Sequence, residues 1–379
     1  MASEDDTSIR KVEIEEDMEG SHMDSGDYFF DRIGKSIPIV NDQSKSPPLF
    51  DLQSPPSRTL AVSELHRLIF LAHPLGFCVA KTKDVMDAAV QIEANGSSTS
   101  VQQLCIVDVP IGKVHILSLS TDSSTLAVCI AADVHFFSVD SLLNKELKPS
   151  FSCSLSESSV FVKDIQWRRR SEASYLVLSN HGKLYRGALG SPLKELMDNV
   201  DAVEWSLKGK YIVVARENIL HIFSSKFKER LRISLPVKSW IGDSDDNCRV
   251  KVDSIRWVLP DSIVVGCFQQ TADGREENYL LQVIRSKDCK ITDASSKPSV
   301  LSFYDSFYGL IDDIVPYGSG PYLSLSYLAS CGLAITANKK NTDEHIQLLQ
   351  WSVEDDMSEI AIVDIDRDTW RPRIELQGD

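Results

Sequence analysis

With 379 residues, 42% of them apolar and 25% charged, the chain has the composition of a soluble globular protein able to bury a large core. The formal net charge is −15, and residues 1–27 hold ten acidic side chains against Arg10 and Lys11, leaving −7 for everything that follows. A mildly acidic body argues against nucleic acid as the principal ligand and suits a basic protein partner.

No apolar run reaches the length of a membrane-spanning helix, and the N-terminus is acidic where a signal or transit peptide would be basic. An intracellular chain without membrane insertion is expected. Cysteine usage agrees. Cys78, Cys129 and Cys267 lie in GFCVA, LAVCIA and VVGCF as small apolar residues, and no C-x-x-C or histidine at ligand spacing predicts a metal site or a disulfide framework.

Residues 1–27 are too charged to hold a core and are expected to form a disordered acidic tail. Tyr28–Phe30 and Ser36–Val40 read as short strands, and residues 41–58, with Pro47, Pro48, Pro55 and Pro56, as a surface linker. From there the chain is periodic. Leu60–Val62, Leu68–Leu71 and Gly76–Ala80 are three strands, with a fourth at Cys105–Val109 after a Ser/Gly-rich loop around Asn95-Gly96. A second unit follows at Val114–Leu119, Leu126–Ala131 and Val134–Val139, and a third at Val162–Trp167, Tyr175–Leu178 and Leu184-Tyr185.

The best-preserved unit is Asn199–Leu235. Its second run, Tyr211–Ala215, is apolar throughout, as a strand covered on both faces must be. Around its fourth run, Lys226, Lys228, Arg230 and Arg232 alternate with the other residues, which suits an outer strand facing water. A fifth unit runs through Val252–Trp257, Ser262–Phe268 and Tyr279–Ile284, and a weaker sixth through Tyr322–Tyr327, Gly332–Ala337 and His345–Trp351. Four short strands per period of about forty residues predict an all-β chain folded as a β-propeller over residues 28–379. Trp167, Trp205 and Trp257 close the innermost strands of DIQW, AVEW and SIRW, and their recurrence marks them as packing residues between blades. Only Ala361–Ile365 and Arg373–Leu376 remain beyond Trp351 for a seventh blade, so a truncated last blade is expected, unless the Tyr28–Val40 strands and the C-terminal pieces patch the gap together.

The chain has no P-loop, no dinucleotide fingerprint, no nucleophile elbow and no H-E-x-x-H. Neither catalytic residues nor a cofactor are predicted. Arg168-Arg169-Arg170 reads as a solvated loop tip. Two acidic loops are candidates for recognition: Glu354, Asp355 and Asp356 beyond Trp351, and Asp243, Asp245 and Asp246 between the fourth and fifth units. Acidic loops on a rigid scaffold can steer and orient a basic partner; their other reading is protection of strand edges.

Neither G-H nor W-D dipeptides of standard WD40 repeats occur. With the register placed, the chain resembles the N-terminal β-propeller of the CAN-type nucleoporins of the nuclear pore's cytoplasmic filaments, in a plant version. The residues that carry this are Leu60-Ala61-Val62-Ser63 leading into Leu68-Ile69-Phe70, Asp164–Trp167, Val203–Lys210, Phe303 with Tyr308-Gly309, and Tyr322–Tyr327. The resemblance implies a seven-bladed propeller at the cytoplasmic face of the pore, working in mRNA export and nucleocytoplasmic transport. It implies docking of a DEAD-box RNA helicase through a basic patch on a RecA-like domain, other nucleoporins as further partners, and no direct nucleic-acid contact. Position places the helicase contact at Glu354, Asp355 and Asp356. The family's coiled-coil and Phe-Gly regions are not in this sequence. Two other readings stand beside this one. One is a propeller adaptor of another intracellular complex. The other is a propeller hydrolase using Asp164, Asp201 and Asp253, whose recurrence near apolar anchors fits strand-entry residues bonding backbone N–H groups.

Overall fold

A computed structural model describes residues 11–13, 28–29, 34–40, 58–235 (except 97, 157–158 and 172) and 249–304 (except 271–275, 287–288 and 294). It also describes residues 323–328, 333–338, 345–351, 358–364 and 373–374. The chain divides into two compact units, residues 32–198 and residues 1–31 with 199–379.

The first unit holds three four-stranded antiparallel meanders. The first sheet is Leu60–Ser63, Leu68–His73, Gly76–Lys81 and Val107–Pro110. The second is Ile116–Leu119, Thr125–Ile130, Asp133–Ser138 and Phe151–Ser154. The third is Val162–Trp167, Ser174–Ser179, Leu184–Ala188 and Lys194–Met197. Their first strands lie side by side, and the core fills the space between consecutive sheets. Phe70, Phe77 and Val79 meet Leu117, Leu126 and Phe137 across the first gap, with the Phe77 and Phe137 rings edge-on at 5.4 Å. Phe136, Val134 and Cys129 meet Ile165, Trp167, Tyr175 and Val177 across the second. Because the middle strands of the second sheet have a sheet on either side, apolar side chains serve both of their faces; Leu126, Ala127, Val128 and Cys129 are all fully buried.

The second unit repeats the plan. Its first sheet, the fourth of the chain, is Ala202–Trp205, Tyr211–Arg216, Ile219–Ser224 and Glu229–Ser234. The fifth is Arg249–Leu259, Ser262–Gln270, Glu276–Arg285 and Ser299–Tyr304. The sixth is Leu323–Leu328, Leu333–Asn338, His345–Trp351 and Ser358–Asp364. These are β-propeller blades. Trp167 and Trp257 lie in the cores between consecutive sheets, the packing role their recurrence predicted, and Trp205 is buried at 2% exposure; the Trp167 indole also donates to the Ser118 carbonyl of the neighbouring sheet at 3.1 Å.

Four features differ from the sequence reading. The segment expected as a loop after Ala80 is a helix, Thr82–Asn95, closed by Gly96 at φ +65 and followed by the short helix Val101–Leu104 with a Ser100/Gln103 capping box. Val85, Ala88, Ala89 and Ile92 have helical spacing, and the pair of helices covers Cys78 and Ala80 on the face of the first sheet turned away from the second. Residues 36–40 are irregular rather than a strand, with the Pro38 and Ile39 carbonyls accepting from Val101 and Gln102 N–H. Residues 361–364 belong to the last strand of the sixth sheet, and not to a further blade. Finally, within the acidic tail Lys11–Glu13 pairs in parallel with Ser302–Tyr304 at the outer edge of the fifth sheet. Tyr28–Phe29 pairs with Arg373–Ile374, so the N-terminal and C-terminal pieces do meet.

Polar links tie the first strands together. Arg58, at the end of the Ser/Pro-rich stretch, bonds His115 and Leu117 through its backbone. Its guanidinium reaches Asp164 at 3.2 Å and the Ile165 carbonyl at 3.1 Å. His115, 5% exposed, places Nε2 at 2.9 Å from the Val162 carbonyl and so donates as the neutral ring. Burial holds its pKa below the ordinary 6.5, with nearby Lys113 adding to the effect and the Val162 bond opposing it. A depressed histidine means that the unfolded state takes up the proton first, so stability is lost as pH falls below that value. The expected result is a melting temperature lower at about pH 5.5 than at about pH 7.5, with a smaller difference in His115→Gln. Equal pH dependence of the two proteins would remove His115 from the account.

Candidate docking site

The acidic triplet Glu354, Asp355 and Asp356 and the acidic loop Asp243, Asp245 and Asp246 lie outside the described residues. Their flanks are defined. Trp351 pairs with Ser358, so the triplet falls in the hairpin between the third and fourth strands of the sixth sheet, not in the connection that leaves the sheet. Residues 236–248 lead from the last strand of the fourth sheet into the first strand of the fifth. In a meander the entry to the first strand and the hairpin joining the third to the fourth are at opposite ends of the sheet. Consecutive blades run in the same sense. The strand ends that flank the two acidic loops are therefore at opposite ends of the blades.

The carboxylates weighed as catalytic are engaged within the scaffold. Asp164 accepts from the Ile165 N–H at 2.8 Å and from Gln166 Nε2 at 2.7 Å, besides its ion pair with Arg58. Asp201 is 7% exposed with Lys251 Nζ at 3.9 Å, and Asp253 is 3% exposed. Among the described residues no group of three or more His, Cys, Asp or Glu side chains could hold a metal ion. Burial pushes the Cys78 thiol up to about 12 and raises Cys129 and Cys267 further, so these thiols stay protonated and inert.

One charged constellation escaped the sequence reading. Glu204, 4% exposed, receives the Arg256 guanidinium at 2.6 Å, and Arg256 Nε donates to the Leu325 carbonyl at 3.0 Å. One side chain thus bonds the first strands of three consecutive blades. The signal was present, because Gln166, Glu204 and Arg256 each precede the repeated tryptophan in register. A fixed polar position beside a fixed packing residue marks a link between repeats.

The fold defines a propeller of nuclear-pore type by comparison with known families. The NUP159/214 beta propeller family matches residues 54–292, more than half of the chain, and the chain belongs to that family: it is the N-terminal type of nucleoporin propeller, a component of the nuclear pore and its transport machinery. The match includes Asp243, Asp245 and Asp246 and stops before Glu354. The fold is similar to the crystal structure of the N-terminal domain of Nup159, with 13% identity, TM-score 0.54, and 89% of this chain and 90% of that one covered. It is also similar to a chain in the S. cerevisiae assembly of a Dbp5 variant with Nup159, a Gle1 variant, IP6 and ADP. There the identity is 14% and the TM-score 0.56, covering 92% of this chain and 87% of that one. At such identities the likeness is one of fold. No curated sequence matches the chain significantly.

Proposed function

We propose that this propeller is a docking platform at the cytoplasmic face of the nuclear pore that binds a DEAD-box RNA helicase and so supports mRNA export. Its family membership carries the reading, and the similar fold in an assembly that contains Dbp5 with Nup159 supports it. Glu354, Asp355 and Asp356 are the proposed contact for a basic helicase surface. The strands on either side of them, His345–Trp351 and Ser358–Asp364, are paired along their full length. Asp243, Asp245 and Asp246 are the secondary candidate. Other nucleoporins are further partners.

The test is a pull-down of the DEAD-box export helicase with the whole chain and with Glu354, Asp355 and Asp356 changed to Lys. Reversing three charges at a steering contact is expected to reduce retention by about tenfold or more, chiefly at low salt. A wild-type chain that retains no helicase would sink the docking function. Undiminished retention by the triple variant, with loss in Asp243, Asp245 and Asp246 changed to Lys, would move the contact to that loop.

A further inference from the structure

The fourth sheet carries a basic island on an acidic chain. Between Ser206 and Ser234 there are seven Lys or Arg side chains and only Glu217 and Glu229 against them, in a chain of net charge −15. The charge is concentrated at one end and one edge. Two hairpin tips, Ser206–Lys210 and Ser224–Lys228, are tied together by the Ser225 N–H to the Lys210 carbonyl at 2.9 Å. They present Lys208, Lys210, Lys226 and Lys228, all exposed, and neither tip contains an acidic residue. Arg230 and Arg232 continue the series along the outermost strand, both exposed.

Lysines on an open edge discourage strand pairing in many proteins, and that explanation would cover the edge alone. It leaves Phe227 unexplained. The second tip is a three-residue loop whose last residue sits in the left-handed region, where glycine is the usual occupant. Phe227 stands there at φ +59, with its N–H bonded to the Ser224 carbonyl at 2.8 Å. Nine other described non-glycine residues share such a φ, but Phe227 is the one aromatic among them, so the ring at this surface tip, and not the backbone angle, points to a use. Its ring lies 6.4 Å from that of Phe223, and Phe223 is stacked on His221 at 6.0 Å and 18°. The three rings are partly exposed and run back from the tip. Arg232 is fixed beside them by two bonds to Glu229, which also meets His221 at 2.6 Å.

Against the expectation of no direct nucleic-acid contact, we propose that these tips and the outer edge of the fourth sheet bind single-stranded RNA. The cations follow the phosphates, and Phe227 with the rings behind it offers a face on which an unstacked base can lie. A duplex keeps its bases stacked on one another and cannot use such a face. An acidic polypeptide satisfies the cations and leaves the rings without a counterpart. The site is local to the fourth sheet and involves none of the acidic loops proposed for helicase docking.

Fluorescence anisotropy of a labelled oligouridylate of about 15 nucleotides with the whole chain tests this. With about four phosphates contacted, affinity should fall roughly 50-fold between about 50 and about 200 mM salt. Lys226→Glu with Lys228→Glu should weaken binding at least about tenfold and flatten the salt slope. Phe227→Asn should weaken it about tenfold with the melting temperature unchanged, since asparagine tolerates the left-handed conformation and lacks the ring. Absence of binding by the wild type at low salt overturns the proposal. So does full binding by Phe227→Asn together with displacement of the oligouridylate by polyglutamate at equal charge, which would show a surface for anions in general.

Discussion

Replacing Arg256 by methionine should cost about 3 kcal/mol of folding stability, read as a drop in the urea midpoint. The side chain bonds a carboxylate in the fourth sheet and a carbonyl in the sixth while it stands in the fifth. Glu204 is 4% exposed, and its other oxygen receives the Trp205 N–H at 3.2 Å. Removing the guanidinium takes away the ion pair of a carboxylate that water cannot reach. The Arg256 side chain is 33% exposed, which places the expected loss at the lower end of the range for buried pairs. The double variant Glu204→Met with Arg256→Met should recover most of the loss, because two apolar side chains of similar length need no pairing. A single variant within about 1 kcal/mol of the wild type would class the bridge with ordinary surface pairs. A double variant as unstable as the single would show that the Leu325 bond, and not Glu204, is what the arginine supplies.

The strands were legible where two faces are buried. Leu126–Cys129 is apolar because a sheet lies on each side of it, and Ile212–Ala215 is likewise fully buried, a pattern that survives in sequence without any partner in view. Outer strands such as Phe151–Ser154 and Lys194–Met197 are half-solvated and only four residues long, so their alternation is too brief to stand out from a loop. Thr82–Asn95 was missed for another reason. Its apolar positions have the 3.6-residue period, yet a repeat of four-strand units leads the reader to treat whatever falls between strands as connection. Ala361–Ile365 was assigned to a seventh blade because the sixth unit was read as ending at Trp351, whereas residues 361–364 belong to Ser358–Asp364, the last strand of the sixth sheet. In the fold the acidic triplet interrupts a hairpin.

The candidate site divides along the same line. That acidic residues fall in loops was readable, since charge and turn residues mark loops directly. Which end of a blade a loop occupies depends on counting strands within the sheet, and one misassigned strand reverses the answer. Glu204 and Arg256 lay in view at the repeat position before tryptophan, but nothing in a single sequence says that two residues 52 positions apart meet at 2.6 Å. Lys226, Lys228, Arg230 and Arg232 read as a solvated edge, and only the fold shows the row of Phe227, Phe223 and His221 rings beside them.

Tyr175→Ala should be among the most damaging single changes in the first unit, at about 3–5 kcal/mol. Tyr175 is fully buried between the second and third sheets, with Phe136 at 4.8 Å, Trp167 at 5.6 Å and its hydroxyl 3.7 Å from Cys153 Sγ. Truncation leaves a cavity walled by rigid rings that cannot collapse into it. The room for this ring is made on the neighbouring strand, where Gly187 pairs directly across from Tyr175. A Cβ on Gly187 would stand 2.3 Å from the far edge of the ring. Gly187→Ala should therefore cost about 1–3 kcal/mol by overpacking. That cost should fall in the background of Tyr175→Leu, which lacks the far ring atoms, so the two substitutions are expected to couple with opposite sign to their separate effects. Thermal unfolding of the four proteins of this cycle measures the coupling. If Gly187→Ala is as costly beside leucine as beside tyrosine, the glycine serves the strand's backbone and not the ring.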